Sequence, residues 1–260
     1  KNNKTKITMY VLSLFLLGLF FSLVSTSLIA SDKLNTNSYY FFIKHLIFVI
    51  VGIFVFSIFS FFEKKKLINI SVLLFLLFFI CLILVPFMGI EVKGSKRWMD
   101  VGGPFPRFQP IELLKPFFII IVASVLSINK NKNIYLNYLF SAIIITPVIL
   151  LLISQPDIGQ TLLITMVWLS LIFISGVNLV IFFSFFTFIG FSLSLLIYYV
   201  PKFQYIKNRL ISFFDFTTGN NYQAEKASEA IINGGFFGQG IGEGKLNTEV
   251  PEAHTDYIVS

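Results

Sequence analysis

Long apolar runs dominate this sequence and leave few folds open to it. Seven of them predict membrane-spanning helices, at residues 7–30, 40–62, 67–89, 111–128, 138–153, 158–175 and 177–200. A helix needs about 20 apolar residues to cross about 30 Å of hydrocarbon. There the backbone must satisfy its own hydrogen bonds. Because 56% of the residues are hydrophobic and only 13% are charged, we predict an all-α polytopic membrane protein.

The seventh span is followed by a long and more polar stretch. We therefore divide the chain into a membrane-spanning region, 1–200, and a large loop, 201–260. Apolar residues return at 257–259, where we expect the loop to lead into an eighth helix. The chain starts at Lys1 and stops at Ser260, and we expect it to be truncated at its C-terminus.

The distribution of charge predicts an orientation in the membrane. The net charge of +7 is spread over the ends of the spans, and no nucleic-acid module is recognisable, so we predict no nucleic-acid partner. Lysines favour the cytoplasmic side. A cytoplasmic N-terminus places on that side Lys1, Lys4, Lys6, Lys64, Lys65, Lys66, Lys130 and Lys132. All acidic residues except Glu63 then lie on the outer side, where we expect any chemistry to occur.

Two ionisable residues stand at the start of the fourth span. Glu112 and Lys115 are three residues apart, which places them on one face of a helix. Pro110 suits the first turn of that helix. Charged groups this close to hydrocarbon are costly and by default indicate function. An interfacial ion pair that anchors the helix end explains them equally well.

Two further segments have structural as well as functional interpretations. Lys96 and Arg97 beside Trp98 fit an interfacial anchor or the edge of a phosphate site, and taken alone the anchor is favoured. The segment 155–159 reads Gln-Pro-Asp-Ile-Gly. Because Pro, Asp and Gly each favour turns, a tight turn is the simpler interpretation.

The stretch 201–260 contains several local patterns. Residues 201–216 alternate apolar and basic side chains, as a segment lying on a membrane surface does. Residues 222–232 predict a short helix that ends at Asn233-Gly234-Gly235. Glycines at alternate positions from 238 to 244 fit a flexible loop or a backbone that binds anions.

The chain closes on Pro251-Glu252-Ala253-His254-Thr255-Asp256. Three proton-active side chains at alternate positions fit a site for a hard divalent cation or an exposed acidic turn. Zinc is disfavoured, because no cysteine or second histidine lies nearby. The lone Cys81 allows no intramolecular disulfide.

Five motifs together resemble those of the SEDS family (FtsW, RodA and SpoVE), and they occur here in the family's order. They are Gly94-x-Lys96-Arg97-Trp98, Gln109-Pro110-x-Glu112-Leu113-x-Lys115, Gln155-Pro156-Asp157-x-Gly159, Gly234-Gly235-x-x-Gly238-x-Gly240 and Pro251-Glu252-x-x-Thr255-Asp256. The resemblance implies a SEDS fold of ten transmembrane helices, of which this chain would hold seven, and a large extracytoplasmic loop. Gln160 and the Gly-Glu-Gly at 242–244 are more like FtsW than RodA.

The resemblance also implies an activity and a set of site residues. SEDS proteins polymerise lipid II, an undecaprenyl-pyrophosphate-linked disaccharide peptide, into glycan strands. The family's essential aspartate corresponds to Asp256, the expected general base, and its partners correspond to Glu112 and Lys115. The candidates for binding the substrate and its pyrophosphate are Lys96, Arg97, Gln109, Arg209, Glu252 and His254. Mg²⁺ or Mn²⁺ is expected to assist, with Asp256 as a candidate ligand, and no organic cofactor is expected.

The same resemblance implies a cellular setting. It places the protein among the lipids of the bacterial inner membrane, at the division septum, beside a class B penicillin-binding transpeptidase and other divisome proteins. The alternatives are a lipid II flippase, a RodA-like elongation polymerase and a non-catalytic scaffold. A transporter should carry ionisable residues near the middle of its spans. Here they gather at one surface, which favours chemistry at the outer face.

Overall fold

The computed structural model describes residues 2–34, 39–92, 95–102, 106–127, 134–204, 207–208, 211, 222–236 and 238. Long helices account for most of this part of the chain. In chain order they are α1 (Asn2–Leu34), α2 (Tyr40–Ser60), α3 (Lys64–Met88), α4 (Pro110–Ser127), α5 (Ile134–Ser154), α6 (Ile158–Ile174), α7 (Leu179–Tyr199) and α8 (Tyr222–Gly234). A 3₁₀ turn, Pro201–Phe203, follows α7.

Six of the described helices are long and apolar enough to cross a membrane. The qualifying segments are Thr5–Leu23 in α1, Phe42–Ser60 in α2, and the whole of α3, α4, α5 and α7. Helix α6 is apolar as well but has 17 residues. The all-α polytopic membrane fold predicted from the apolar runs is thus confirmed.

The chain forms two compact units. One comprises Lys1–Phe61 with Arg209–Ser260, and in it α1 packs against α2. The other comprises Phe62–Asn208. In this second unit α4 packs against α3, α5 and α6, and α7 packs against α6. The conspicuous polar residues of 90–160 all belong to the second unit.

The core of the second unit is built from apolar stripes on its helices. In α4, after Pro110, the buried residues recur at intervals of three or four, which places them on one face. They are Ile111, Leu114, Phe118, Val122 and Leu126. Opposite them pack buried residues of α3, α5 and α6: Leu82, Ile145, Val148, Leu152, Ile164, Trp168, Leu169 and Ile172. This packing fixes how the ends of the helices lie beside one another.

A proline in α3 explains one buried polar contact. Pro86 has no backbone N–H, so the carbonyl of Leu82, four residues earlier, loses its helical hydrogen bond. The side-chain Nε2 of Gln155 donates a hydrogen bond to that carbonyl at 3.1 Å. Both residues are buried. Gln155 therefore satisfies a group that would otherwise be unpaired in the core.

A small antiparallel hairpin follows α3. Strand β1 (Ile90–Val92) pairs with β2 (Ser95–Trp98), and Met99 forms a further bridge with Phe108. Gly89 allows this sharp departure from α3, because a Cβ there would overlap the Val85 carbonyl and lie 3.2 Å from the Trp98 carbonyl. The spans predicted at 67–89 and 111–128 leave a connection here, and no strand was predicted in it. Strands of three and four residues give too short an alternation to be predicted.

Helix α8 matches the short helix predicted in the large loop. It ends at Gly234, and Gly235 follows with φ +62°, a left-handed conformation that favours glycine. The N–H of Gly235 donates to the Ile231 carbonyl at 3.1 Å. The predicted termination at Asn233-Gly234-Gly235 is confirmed.

Substituting Gln155 tests the role assigned to it in the core. Gln155→Met keeps the length of the side chain but leaves the Leu82 carbonyl unpaired, which should lower the free energy of unfolding by about 1–3 kcal/mol. In a Pro86→Ala background residue 86 has an N–H for that carbonyl, and the same substitution should cost much less. The measurement is unfolding of all four proteins in one detergent. Equal losses in both backgrounds would contradict the assignment.

Candidate functional site

Polar side chains from four segments meet at one end of the second unit. At this end α3 and α5 finish, at Met88 and Ser154, and α4 and α6 begin, at Pro110 and Ile158. The β1–β2 hairpin lies at the same end, since Arg97 contacts the turn between α5 and α6. We call it the hairpin end. Its polar residues form two adjoining clusters.

The first cluster surrounds Asp157. Its Oδ1 accepts a hydrogen bond from the backbone N–H of Gln160 at 3.4 Å, so Asp157 is the N-cap of α6. Its Oδ2 accepts from Nε2 of Gln109 at 2.9 Å. The Nη1 atom of Arg97 lies 3.7 Å from Oδ1. The Asp157 side chain is only 7% exposed. The 155–159 turn therefore does more than reverse the chain, because its carboxylate connects α4, α6 and the hairpin.

Arg97 is held against this turn. Its Nη2 donates to the Pro156 carbonyl at 3.0 Å, and its charge is paired with Asp157. Its Nε is buried and has no hydrogen-bond partner among the described residues. The geometry thus gives Arg97 a clear anchoring role between the hairpin and the α5–α6 turn.

The second cluster joins the start of α4 to the first turn of α6. Lys115 Nζ lies 2.7 Å from Glu112 Oε2 and donates to Gln160 Oε1 at 3.0 Å. Gln160 Nε2 in turn donates to Glu112 Oε1 at 2.6 Å. We call these three residues the Glu112–Lys115–Gln160 triad. The Lys115 side chain is 18% exposed and that of Glu112 is 48% exposed, so the triad opens to the surface on its Glu112 side.

The hairpin separates two cations that are adjacent in sequence. Alternation along β2 leaves Arg97 half-buried and Lys96 exposed. Lys96 pairs in register with Glu91 of β1. Lys96 and Arg97 therefore do not form a single basic edge, and of the two only Arg97 contacts the α5–α6 turn.

The structure brings together four of the residues singled out from the sequence, namely Arg97, Gln109, Glu112 and Lys115. Lys96 is exposed on the other face of β2. The other four, Arg209, Glu252, His254 and Asp256, lie outside the described residues.

Two residues that complete the clusters, Asp157 and Gln160, have no site role among the residues predicted from the sequence. Asp157 had a detectable signal, since an aspartate directly before an apolar run is a typical N-cap. Gln160 was noted only as a family feature, and its position in the first turn of α6 does not reveal its partners 45 and 48 residues away.

A separate ion pair orders the segment between the hairpin and α4. Asp100 Oδ1 accepts from the backbone N–H of Gly102 at 2.9 Å, and Oδ2 accepts from Nε of Arg107 at 3.3 Å. The Gly102 hydrogen bond, and to a lesser extent Arg107, lower the pKa of Asp100. Because this pKa is lowered, the turn gains stability above the ordinary carboxyl pKa of about 3.9 and loses it as the pH falls through the lowered value.

Two substitutions separate the roles of Asp157. Asp157→Ala removes the N-cap and the partner of Arg97, and loss of the cap alone should cost about 0.5–2 kcal/mol. Asp157→Asn keeps one capping oxygen, but it removes the charge and the second carboxylate oxygen, which accepts from Gln109. Hydrogen exchange should therefore accelerate at the hairpin, 95–99, in both variants. Exchange in the first turn of α6 should accelerate only in Asp157→Ala, and unchanged exchange in the hairpin of both would disprove the link.

The Asp100 turn predicts a specific pH response. Since the Gly102 N–H is the main cause of the lowered pKa, Arg107→Ala should leave the pKa of Asp100 below its ordinary value, though less so than in the wild type. The measurement is an NMR titration of the Gly102 amide in both proteins. A return to the ordinary value in Arg107→Ala would make Arg107 the main cause instead.

Similar proteins were found by sequence. The chain is 34% identical over 263 residues to the "Probable peptidoglycan glycosyltransferase FtsW" of Coxiella burnetii, covering 97% of this chain and 68% of that protein. It is 32% identical over 251 residues to the protein of the same name in Buchnera aphidicola subsp. Schizaphis graminum, covering 92% and 68%. It thus spans about two thirds of the length of these relatives.

Solved structures share the fold. The Thermus thermophilus rod shape determining protein RodA superposes with a TM-score of 0.51 and 23% identity, over 69% of this chain and 58% of that one. A chain of a peptidoglycan synthase complex, described for its structural coordination of polymerization and crosslinking, gives 0.56 and 22%, over 82% and 64%. At these identities the likeness establishes the fold.

The family assignment rests on the whole length of the chain. The sequence profile FTSW_RODA_SPOVE, described as "Cell cycle protein", matches residues 5–260. This agrees with the five motifs, the helical membrane fold and the relatives above. The chain belongs to the FtsW/RodA/SpoVE family of cell cycle proteins, the SEDS family.

Proposed function

We propose that this protein is a peptidoglycan glycosyltransferase that polymerises lipid II into glycan strands at the outer face of the inner membrane, during septal wall synthesis. The observation that carries the proposal is the Glu112–Lys115–Gln160 triad, an ordered and partly exposed set of two charged groups and an amide at the end of an apolar bundle. The relatives named as probable FtsW glycosyltransferases support it.

The reaction needs a base on one side of the sugar and a cation on the other. An acceptor hydroxyl attacks the anomeric carbon, and the bond from that carbon to the lipid pyrophosphate breaks. The hydroxyl proton passes to a carboxylate, and the pyrophosphate takes up the negative charge. By analogy with glycoside hydrolysis, the transition state has oxocarbenium character. We assign the base to Asp256 by its match to the family motif.

Lys115 is the described cation best placed to meet the pyrophosphate. An ammonium has three N–H donors. Lys115 donates one hydrogen bond to Gln160 and is ion-paired with Glu112, which leaves N–H capacity for a substrate oxygen. Because Glu112 balances its charge, Lys115 would act as an oriented donor more than as a source of net positive charge.

Other basic residues supply the remaining charge in this proposal. Lys96 is exposed on the hairpin, and Arg209 completes the set together with the polar residues of 252–254. The pairing of Arg97 with Asp157 favours the anchoring interpretation of that arginine over direct phosphate binding.

A divalent cation remains part of the proposal. Among the described residues, no three His, Cys, Asp or Glu side chains lie together as a metal site. We assign Mg²⁺ or Mn²⁺ to the neighbourhood of Asp256 because Glu252, His254 and Asp256 follow one another at alternate positions, and there the ion would offset the charge of the pyrophosphate. Addition of EDTA should then lower the rate, and either ion should restore it.

The orientation in the membrane and the protein partners are further parts of the proposal. The lysine distribution supports a cytoplasmic N-terminus. The fold shared with a chain of a peptidoglycan synthase complex supports a class B penicillin-binding transpeptidase as partner. The family description, "Cell cycle protein", supports a role in division, and we extend it to a place at the division septum with other divisome proteins.

Polymerisation of purified lipid II by the purified full-length protein tests the activity. Asp256→Asn replaces the proposed base by its amide and should lower strand formation by about 10²–10⁴-fold, the usual contribution of a general acid or base. Glu112→Gln removes the charged partner of Lys115 and should lower it by about 10–100-fold. Glu225→Gln makes the same chemical change on the exposed surface of α8 and should leave the rate unaltered. Strand length and yield are read from gels of labelled product.

The alternatives give different results in the same system. Normal polymerisation by Asp256→Asn would remove that residue from the role of base. Transport of lipid II across vesicles without strand formation would support a flippase. A protein that polymerises lipid II but rescues only cells depleted of the elongation enzyme would support the RodA-like role.

A further inference from the structure

We propose that Gln160 is a positioning residue for the glycosyl transfer: its side-chain amide holds Lys115 in the orientation that meets the leaving group. This inference rests on the function proposed above. It concerns a residue whose contacts link two helices that are distant in sequence.

The amide of Gln160 closes a ring of polar contacts. Its Nε2 donates to Glu112 Oε1 at 2.6 Å, its Oε1 accepts from Lys115 Nζ at 3.0 Å, and Lys115 Nζ lies 2.7 Å from Glu112 Oε2. Each of the three side chains thus contacts the other two. Both oxygens of Glu112 are engaged, one by the Gln160 amide and one by the Lys115 ammonium, and Lys115 also donates a hydrogen bond to Gln160.

The chemistry of the partners fixes which way the amide points. An ionised carboxylate only accepts hydrogen bonds and an ammonium only donates them. The NH₂ group of Gln160 must therefore face Glu112, and its oxygen must face Lys115. The glutamine amide carries both a donor and an acceptor, so one uncharged side chain can donate to Glu112 and accept from Lys115. A carboxylate at 160 would instead face Glu112 with a like charge.

The backbone of Gln160 is fixed independently of this ring. Its N–H donates to Asp157 Oδ1, and the neighbouring Thr161 donates to the Asp157 carbonyl from its N–H at 3.0 Å and from Oγ1 at 2.7 Å. Asp157 is in turn held by Gln109 and Arg97. The amide therefore extends from an immobilised helix turn.

The ring of contacts gives the Lys115 ammonium a fixed orientation, which an ion pair on a helix surface does not provide. An exposed Glu–Lys pair three residues apart contributes only about 0.2–0.5 kcal/mol and samples many geometries. The Gln160 amide restricts the pair to one of these geometries and leaves Lys115 with N–H donors for the leaving group. Since a misplacement of about 1 Å costs on the order of 10²-fold in rate, a bond that fixes this ammonium should act on kcat.

Three variants of Gln160 test the proposal by lipid II polymerisation with the full-length protein. Gln160→Met fills the same space without hydrogen bonds, Gln160→Ala removes the side chain, and Gln160→Glu places a second carboxylate beside Glu112. All three should lower kcat by about 10–100-fold, the effect of losing hydrogen bonds to charged groups. The KM for lipid II should change by less than about threefold, because the contact acts mainly in the transition state. Gln204→Met, at an exposed position after α7, is the matched control.

Exchanging the carboxylate of Glu112 with the amide of Gln160 distinguishes a role in positioning Lys115 from a role in stabilising the fold. In Glu112→Gln with Gln160→Glu, the carboxylate moves to 160 and the amide to 112, and the same ring of contacts to Lys115 can form. This double variant should recover at least about tenfold of the kcat lost in Gln160→Glu. Thermal unfolding of each protein, measured in the same detergent, shows whether all assays were made on folded protein.

Two results would overturn the inference. One is a wild-type kcat in Gln160→Met, and the other is a double variant no more active than Gln160→Glu. Either leaves the proposed function intact as long as the wild-type protein forms strands. If the wild-type protein forms none, the proposed function itself has failed, so the two failures are distinguishable.

Discussion

The buried carboxylate of Asp157 is the interaction on which the arrangement of the hairpin end depends. A charge that is 7% exposed must be paired and hydrogen-bonded to be tolerated. Its partners come from three segments that meet only here: Gln109 before α4, the first turn of α6, and Arg97 of the hairpin. One side chain thereby sets the relative positions of the groups that the proposed chemistry uses.

The apolar core and the polar clusters determine different aspects of the structure. The buried stripe of α4, from Ile111 to Leu126, packs on the neighbouring helices and so sets where each helix lies. Apolar contacts are non-directional, however, and do not set the orientation of a side chain at a helix end. Directional bonds do so, as when Gln155 donates to the carbonyl that Pro86 leaves unpaired.

Features set by residues close in sequence could be predicted, whereas contacts between distant residues could not. Apolar runs located the long helices, and a spacing of three placed Glu112 beside Lys115, because both signals are local. The contact of Gln160 with Glu112 joins residues 48 apart and depends on how α4 and α6 pack, which no local pattern encodes. The hairpin was missed for a different reason, since its strands have three and four residues. Asp256 lies outside the described residues, so its role rests on the family motif.

The charge pattern at the hairpin end bears on how the pyrophosphate would be stabilised. Arg97 is paired with Asp157, and Lys115 is paired with Glu112, so neither pair presents a net positive charge. Strong attraction for the free anion would also hold the product and would not by itself raise kcat. An oriented N–H that meets charge only as it develops stabilises the transition state selectively. An ammonium that is paired and held in one orientation is therefore better suited to stabilising the departing pyrophosphate than a free one.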